Sequence, residues 1–106
     1  MTDQTILPDH WLAAISEWAA RHPITEVWLY GSRARGTHRQ DSDVDLAVVT
    51  VGRELGDRYA RFITSRLKHD LTLPDGAVSQ VEFYDPEDDS QYVGPGVRAD
   101  GIKIYP

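Results

Sequence analysis

The chain has 106 residues, of which 41% are hydrophobic and 26% charged, which is typical of a single folded domain over residues 1–106 and excludes disorder throughout. Its formal net charge of −6 argues against a protein that grips duplex nucleic acid over a long interface. The absence of cysteine excludes disulfides and thiolate metal sites, and the absence of a long apolar run or a signal-peptide pattern predicts a cytoplasmic protein.

The first part of the chain predicts a helix followed by a strand. Between Pro8 and His22, apolar side chains recur at helical spacing: Trp11, Leu12, Ile15, Trp18 and Ala19. Pro23 ends this segment, and we expect its tryptophans to lie in the core. Residues 25–30 are apolar on both faces, as expected of a strand that is buried on both sides.

A turn rich in glycine and arginine follows this strand. Gly31 allows a tight turn, Ser32 offers a hydroxyl, and a helical turn beginning at Ser32 would direct free N–H groups towards an anion. Arg33 and Arg35 are candidate phosphate partners. Gly31 and Gly36 have the spacing of a P-loop, but the lysine and hydroxyl residue that this motif needs are missing, so a P-loop is excluded.

Two carboxylates open the second predicted strand, which covers residues 43–51. Asp43 and Asp45 are two residues apart, so on a strand they project from the same face, while Val44 and Leu46 point into the core. Neighbouring carboxylates repel each other unless a cation or a proton neutralises them. Mg²⁺ binds through one or two carboxylates together with waters and phosphate oxygens, so this pair indicates a magnesium site for a nucleoside triphosphate.

The remainder predicts an alternation of helix and strand and therefore an α/β domain. A helix is expected over residues 55–69, with Tyr59, Phe62, Ile63 and Leu67 facing the core and Arg58, Arg61, Arg66 and Lys68 facing water. A loop over residues 71–76, a strand over 77–84 and an acidic turn at 87–89 follow. Residues 92–101, with Gly94-Pro95-Gly96, are predicted to be an irregular lead into a short last strand.

A third acid lies in the strand predicted over residues 77–84. Strand alternation puts Val81 and Phe83 on one face and Glu82 with Tyr84 on the other, so Glu82 can join the face of the acid pair. Asp85 has the opposite parity and precedes Pro86. The alternative, that Glu82 is an exposed strand acid without a role, stays open at this point.

Together these residues resemble a known family. Gly31-Ser32-Arg33-Ala34-Arg35-Gly36, followed by Ser42-Asp43-Val44-Asp45-Leu46, is similar to the signature of the polymerase-beta-type nucleotidyltransferase superfamily, specifically its small MNT-like (minimal nucleotidyltransferase) members. Val81-Glu82-Phe83 lies where that family carries its third acid, usually Asp, and Asp100-Gly101-Ile102-Lys103-Ile104-Tyr105 is similar to its closing strand. The resemblance implies a small mixed sheet flanked by helices.

The resemblance also implies an activity, which is the transfer of a nucleoside monophosphate, most simply AMP from ATP, onto a hydroxyl group with release of pyrophosphate. Asp43, Asp45 and Glu82 would be the catalytic acids and the ligands of two Mg²⁺ ions, for which Mn²⁺ could substitute. Gly31, Ser32, Arg33 and Arg35 would bind the nucleotide.

MNT-like proteins of this size resemble antitoxins that act beside a HEPN-type ribonuclease, so a helical toxin is the expected partner and a protein hydroxyl the expected acceptor. A second hypothesis, favoured by Glu82 in place of Asp, is a catalytically weak or inactive nucleotide-binding module that neutralises its partner by binding. A third is the modification of a small molecule, for which related enzymes usually have an added domain. The acceptor, the base preference and any homo-oligomer stay open from sequence.

Overall fold

The computed structural model describes residues 7–51, 56–87 and 93–106. Its elements, in chain order, are α1 (Asp9–Ala20), β1 (Ile24–Tyr30), α2 (Ser32–Arg35), β2 (Val44–Thr50), α3 (Asp57–Leu67), β3 (Ser79–Phe83), α4 (Val93–Asp100) and β4 (Ile102–Tyr105). Two short 3₁₀ turns, Lys68–Asp70 and Pro74–Gly76, join α3 to β3. None of the helices in these ranges is long and apolar enough to cross a bilayer.

The described strands form one mixed sheet in the order β3-β2-β1-β4. β1 is antiparallel to both of its neighbours, β2 and β4, whereas β2 and β3 are parallel. Parallel neighbours need a crossover connection, and α3 provides it. The predicted small mixed sheet flanked by helices is therefore confirmed.

Helices cover the sheet on both faces. α1 and α3 lie on the face of Val27, Leu46 and Val81, and there the Trp18 Nε1 atom donates a 3.0 Å hydrogen bond to the Leu67 carbonyl, which ties the two helices together. The predicted burial of Trp11 and Trp18 is confirmed. The opposite face carries a second apolar cluster beneath α4: Trp28, Tyr30, Ala47, Val49, Tyr84, Val93 and Val97.

The helix α4 corrects a prediction. The irregular lead expected over residues 92–101 is wrong for residues 93–100, while residue 92 lies outside the described residues. Pro95 lies in the first turn of the helix, where a missing N–H costs nothing. Val93 and Val97 are four residues apart, so they share a helix side, and both are buried against the sheet.

The orientation of α3 corrects a second prediction, because Tyr59 and Phe62 are 43% and 57% exposed instead of facing the core. Ala60, Thr64 and Leu67 are buried in their place. The Thr64 hydroxyl donates to the Ala60 carbonyl at 2.9 Å, so this polar side chain is satisfied inside the protein. The helix cations are exposed as predicted, whereas residue 55 and residues 88–89 lie outside the described residues.

The exposed side of α3 and the turn after it form what we call the aromatic-basic face, which consists of Arg58, Tyr59, Arg61, Phe62, Arg66 and Lys68. The Arg66 guanidinium lies 5.9 Å from the centre of the Phe62 ring. No acidic residue occurs between Arg58 and Lys68, on a chain whose net charge is −6.

Candidate active site

Asp45 and Gly31 lie against each other at the edge of the sheet where β1 ends and β2 begins. The antiparallel register pairs Asp45 with Tyr30, which places the carboxylate beside the start of the turn. Gly31 has φ 80° and ψ −156°, a conformation that is essentially reserved for glycine. A Cβ atom at Gly31 would overlap the Asp45 Oδ2 atom and lie 3.3 Å from Cγ. The glycine therefore lets the turn backbone approach this carboxylate directly.

The predicted helical turn at Ser32 is confirmed as α2, which Gly36 ends in the left-handed conformation at φ 77°. The Arg35 N–H donates to the Gly31 carbonyl at 3.1 Å, which is the first hydrogen bond of this helix. The N–H groups before it have no partner within the helix, as at every helix start. The positive end of α2 thus lies beside Asp45.

The charge at this edge is unfavourable without a cation. Burial raises the pKa of the Asp45 carboxyl above its ordinary value of 3.8, and the negative charge of Asp43 raises it further, while Arg35 lowers it. Two carboxylates that destabilise each other in this way suit a hard divalent cation, which takes oxygen ligands and neutralises both. The donor set of Asp43 and Asp45 therefore fits Mg²⁺ or Mn²⁺.

Arg35 connects the acid pair to the end of α4. Its Nη1 atom donates a 2.9 Å hydrogen bond to Asp100 Oδ2, and its side chain is 49% exposed. Because the guanidinium also lowers the pKa of Asp45, it lies within electrostatic reach of that carboxylate. This half-exposed cation beside the acids is a suitable partner for a phosphate group.

Arg33 has a different placement from the one predicted. The side chain is only 5% exposed, and its guanidinium donates hydrogen bonds to the carbonyls of Gln40 and Ser42. It also packs over the Trp11 ring, 5.2 Å from the ring centre. These donors of Arg33 are thus directed to the loop before Asp43, and a contact between Arg33 and phosphate stays a prediction.

Gln80 is a site residue that the sequence analysis missed. The parallel register pairs Gln80 with Asp45, and the Gln80 Nε2 atom donates a 3.3 Å hydrogen bond to Asp43 Oδ2. The strand alternation that selected Glu82 also places Gln80 on the same face, two residues earlier. That signal was present, but the register of a parallel pair could not be predicted from the sequence.

Glu82 lies on the face of the acid pair but further along the sheet. Its register partner is Ala47, two residues beyond Asp45, so the Cα atoms of Glu82 and Asp45 are about 8 Å apart by ideal strand spacing. In the parts of the chain that the structure describes, no group of three or more acidic or histidine side chains is close enough to hold a metal ion. The structure thus brings Asp43 and Asp45 together and leaves Glu82 one residue pair away.

A family model described as nucleotidyltransferase domain matches residues 13–91, which include β1, α2, β2 and β3. The chain belongs to this family. Nucleotidyltransferases of the family generally use divalent metals and nucleoside triphosphates. The match ends before α4, so the helix that covers the acid face of this nucleotidyltransferase lies beyond the matched residues.

Two solved structures share the fold of this nucleotidyltransferase. One is a toxin-antitoxin with AMP-PNP, with a TM-score of 0.60 and 20% identity, covering 89% of this chain and 72% of the other. The second is a mutant of the toxin-antitoxin MntA-HpeT, with a TM-score of 0.58 and 14% identity over 89% and 72% of the two chains. No curated protein gives a significant sequence match. At these identities the likeness shows the fold alone.

Proposed function

We propose that this nucleotidyltransferase transfers AMP from ATP to a hydroxyl group of a protein acceptor, and that it acts as the antitoxin of a toxin-antitoxin pair. The observation that carries the proposal is the packing of the Asp45 carboxylate on Gly31 at the start of α2, with Asp43 beside it. This arrangement supports a cation held by carboxylate oxygens next to a triphosphate held by backbone N–H groups. The neighbour solved with AMP-PNP supports an adenine nucleotide.

In the proposed site, Asp43 and Asp45 would hold two Mg²⁺ ions, or Mn²⁺ in their place. When bound, these cations supply charge neutralisation for the triphosphate and lower the pKa of the attacking hydroxyl. The backbone at Gly31 and Ser32, together with the Arg35 guanidinium, would orient the phosphate groups. The apolar cluster beneath α4 would keep water from one side of the bound nucleotide.

Glu82 is the proposed third carboxylate, with the task of holding a cation or taking the proton of the acceptor hydroxyl. Its place on the same face as Asp45 supports this role, and the extra methylene of Glu relative to Asp shortens the gap of one residue pair. Replacing Glu82 with Gln should reduce transfer at least tenfold, whereas Asp85→Asn serves as the control, since Asp85 lies outside β3, beyond its last residue Phe83. Equal rates for both variants and the unmodified protein would remove Glu82 from the mechanism.

The central test measures transfer of label from α-³²P-ATP to protein in the presence of Mg²⁺. Asp43→Asn and Asp45→Asn should each reduce transfer by roughly 100-fold or more. Asp41→Asn is the matched control, because Asp41 is an exposed carboxylate of the same loop, two residues before Asp43. The proposal fails if no variant differs from the unmodified protein, or if no ATP and Mn²⁺ binding is detected by calorimetry.

The proposed partner is a helical, HEPN-like toxin in the cytoplasm, encoded beside this chain. The two toxin-antitoxin neighbours support a protein partner. The aromatic-basic face offers a docking surface, because exposed aromatic and arginine side chains are the residues that most often contribute binding energy at interfaces. Its positive charge suits an acidic partner surface.

A second candidate function is neutralisation of the toxin by binding alone, with a site that holds nucleotide without turnover. It is favoured by Glu82, which the structure leaves one residue pair from the acid pair. The two functions separate in a growth-rescue assay with the toxin, in which Asp45→Asn tests chemistry and Phe62→Ala tests docking. Loss of rescue by Asp45→Asn with the complex intact supports transfer. Rescue by Asp45→Asn but not by Phe62→Ala supports occlusion.

A further inference from the structure

We propose that Arg33 is a positioning residue for the acid pair, which sets the place of Asp43 by clamping the loop that precedes it. The inference rests on the proposed function, since it explains how a metal-binding carboxylate is held at the end of a loop. Arg33 itself contacts neither acid in this arrangement. It acts on the main chain one residue before Asp43.

The clamp consists of three hydrogen bonds from one guanidinium to two carbonyls. Arg33 Nε and Nη2 donate to the Ser42 carbonyl at 3.1 and 2.8 Å, and Nη2 also donates to the Gln40 carbonyl at 3.2 Å. The Ser42 carbonyl belongs to the peptide unit that leads into Asp43. Because two donors of a rigid plane converge on this single oxygen, the orientation of that peptide is fixed.

The guanidinium of Arg33 is also held by the ring of Trp11. The Trp11 ring lies 5.2 Å from Arg33 Cζ, and Trp11 Nε1 donates a 2.8 Å hydrogen bond to Asp75 Oδ2. The same oxygen of Asp75 lies 2.7 Å from His10 Nε2. A contiguous chain of contacts thus runs from the turn at Asp75 through Trp11 and Arg33 to the loop before Asp43.

Burying the positive charge of Arg33 costs free energy, which indicates that the hydrogen bonds of the clamp serve a function. Arg33 is 5% exposed, and in the described part of the chain none of the ion pairs involves it. Carbonyl dipoles and a ring face therefore compensate a buried positive charge without a carboxylate. A loop that only had to connect α2 to β2 could be closed by apolar packing at lower cost.

The other side of Asp43 is fixed independently. The Val44 N–H donates to the Val78 carbonyl at 2.8 Å, which anchors the first residue of β2 to the segment before β3. Gln80 then holds the Asp43 carboxylate itself. The Arg33 clamp holds the carbonyl of the peptide between Ser42 and Asp43, and without it this peptide can rotate more freely. A displacement of about 1 Å at a reacting group can cost roughly 100-fold in rate.

The test uses Arg33→Lys, which keeps the charge but cannot donate two convergent bonds, and Arg39→Lys as the matched control on an exposed arginine of the same loop. The first readout is amide hydrogen exchange of the metal-free protein. Arg33→Lys should speed exchange of the Ser42 N–H, which donates to the Arg39 carbonyl at 3.1 Å, roughly tenfold, while the exchange of β1 stays unchanged. The second is binding of Mn²⁺ with AMP-PNP, which should weaken about tenfold.

Unchanged exchange at Ser42 together with unchanged Mn²⁺ binding in Arg33→Lys would overturn the inference, as would equal losses in Arg39→Lys. If Arg33→Lys does not fold, Trp11→Phe replaces it, since it keeps a ring under the guanidinium but removes the bond to Asp75. That variant should show the same changes at about threefold. No change in it would overturn the inference. Failure of the unmodified protein to bind Mn²⁺ would reject the proposed function instead. In that case, amide hydrogen exchange at Ser42 would still test the Arg33 clamp.

Discussion

Replacing Gly31 with Ala should disable the acid pair far more than it destabilises the protein. The new methyl group would overlap the Asp45 Oδ2 atom and lie 3.3 Å from its Cγ atom. Either the carboxylate moves or the turn does. The matched control is Gly36→Ala, because Gly36 also has a positive φ, of 77°, yet a Cβ atom there meets nothing within 4 Å.

Backbone strain alone predicts similar stability losses for the two variants. Gly31 has φ 80° and ψ −156°, so alanine there should lower the free energy of unfolding by about 1–3 kcal/mol. The left-handed conformation of Gly36 should cost about 1–2 kcal/mol with alanine. The site responds differently, because relieving the overlap moves the Asp45 carboxylate by roughly half an ångström or more, which should reduce transfer on the order of 100-fold.

The assay pairs urea unfolding with calorimetric binding of Mn²⁺ and AMP-PNP. We expect Gly31→Ala to weaken binding at least tenfold, and Gly36→Ala to change it less than twofold, at comparable losses of unfolding free energy. If the two variants lose binding in proportion to their stability, Gly31 serves only as a turn residue. The close approach of Gly31 to Asp45 would then have no functional meaning.

Three further outcomes follow from the structure. Burial and Asp43 raise the pKa of Asp45, so the ionised carboxyl destabilises the metal-free fold. Asp45→Asn should therefore gain unfolding free energy over the unmodified protein as the pH rises from below 3.8 to neutral. A difference in unfolding free energy that stays constant with pH in EDTA-buffered urea titrations would contradict this. Hydrogen bonds from Trp11 and His10 lower the pKa of Asp75, so here the ionised carboxylate stabilises the fold. The loss of unfolding free energy caused by Asp75→Asn should therefore be complete above pH 3.8 and disappear as the pH falls through the folded pKa, as followed by thermal unfolding. Val97→Ala should cost about 2 kcal/mol, because this 4% exposed side chain packs α4 on the sheet, whereas Val78→Ala, at a 55% exposed position, should cost less than about 0.5 kcal/mol in the same measurement.

Most of the sheet could be predicted because its signals are local. The helix before Pro23, the strand ending at Tyr30, the turn at Gly31 and the acid pair all follow from apolar periodicity and turn chemistry within a few residues. The relation of Asp43 to Asp45 needs only the alternation of a strand. For the same reason, Glu82 could be assigned to the correct face without knowledge of the strand order.

What could not be predicted depends on contacts between distant segments. The burial of Arg33 requires the Trp11 ring and two loop carbonyls, which only the folded chain brings to it. Gly94-Pro95-Gly96 has the composition of a turn, yet two valines that pack on the sheet stabilise a helix there. The spacing of Tyr59 and Phe62 is compatible with two rotations of α3 about its own axis. In the rotation that the structure shows, Thr64 lies on the buried side with its hydroxyl hydrogen-bonded.

The pairing of β4 with β1, which lies much earlier in the chain, has a consequence for folding during synthesis. β4 pairs with β1, and α4 covers Ala47 and Val49 on the face that carries Asp45. A growing chain therefore keeps that face open until the residues of α4 and β4 have emerged from the ribosome and returned to the first strand. The acid pair is thus synthesised well before the segments that complete the sheet and its cover.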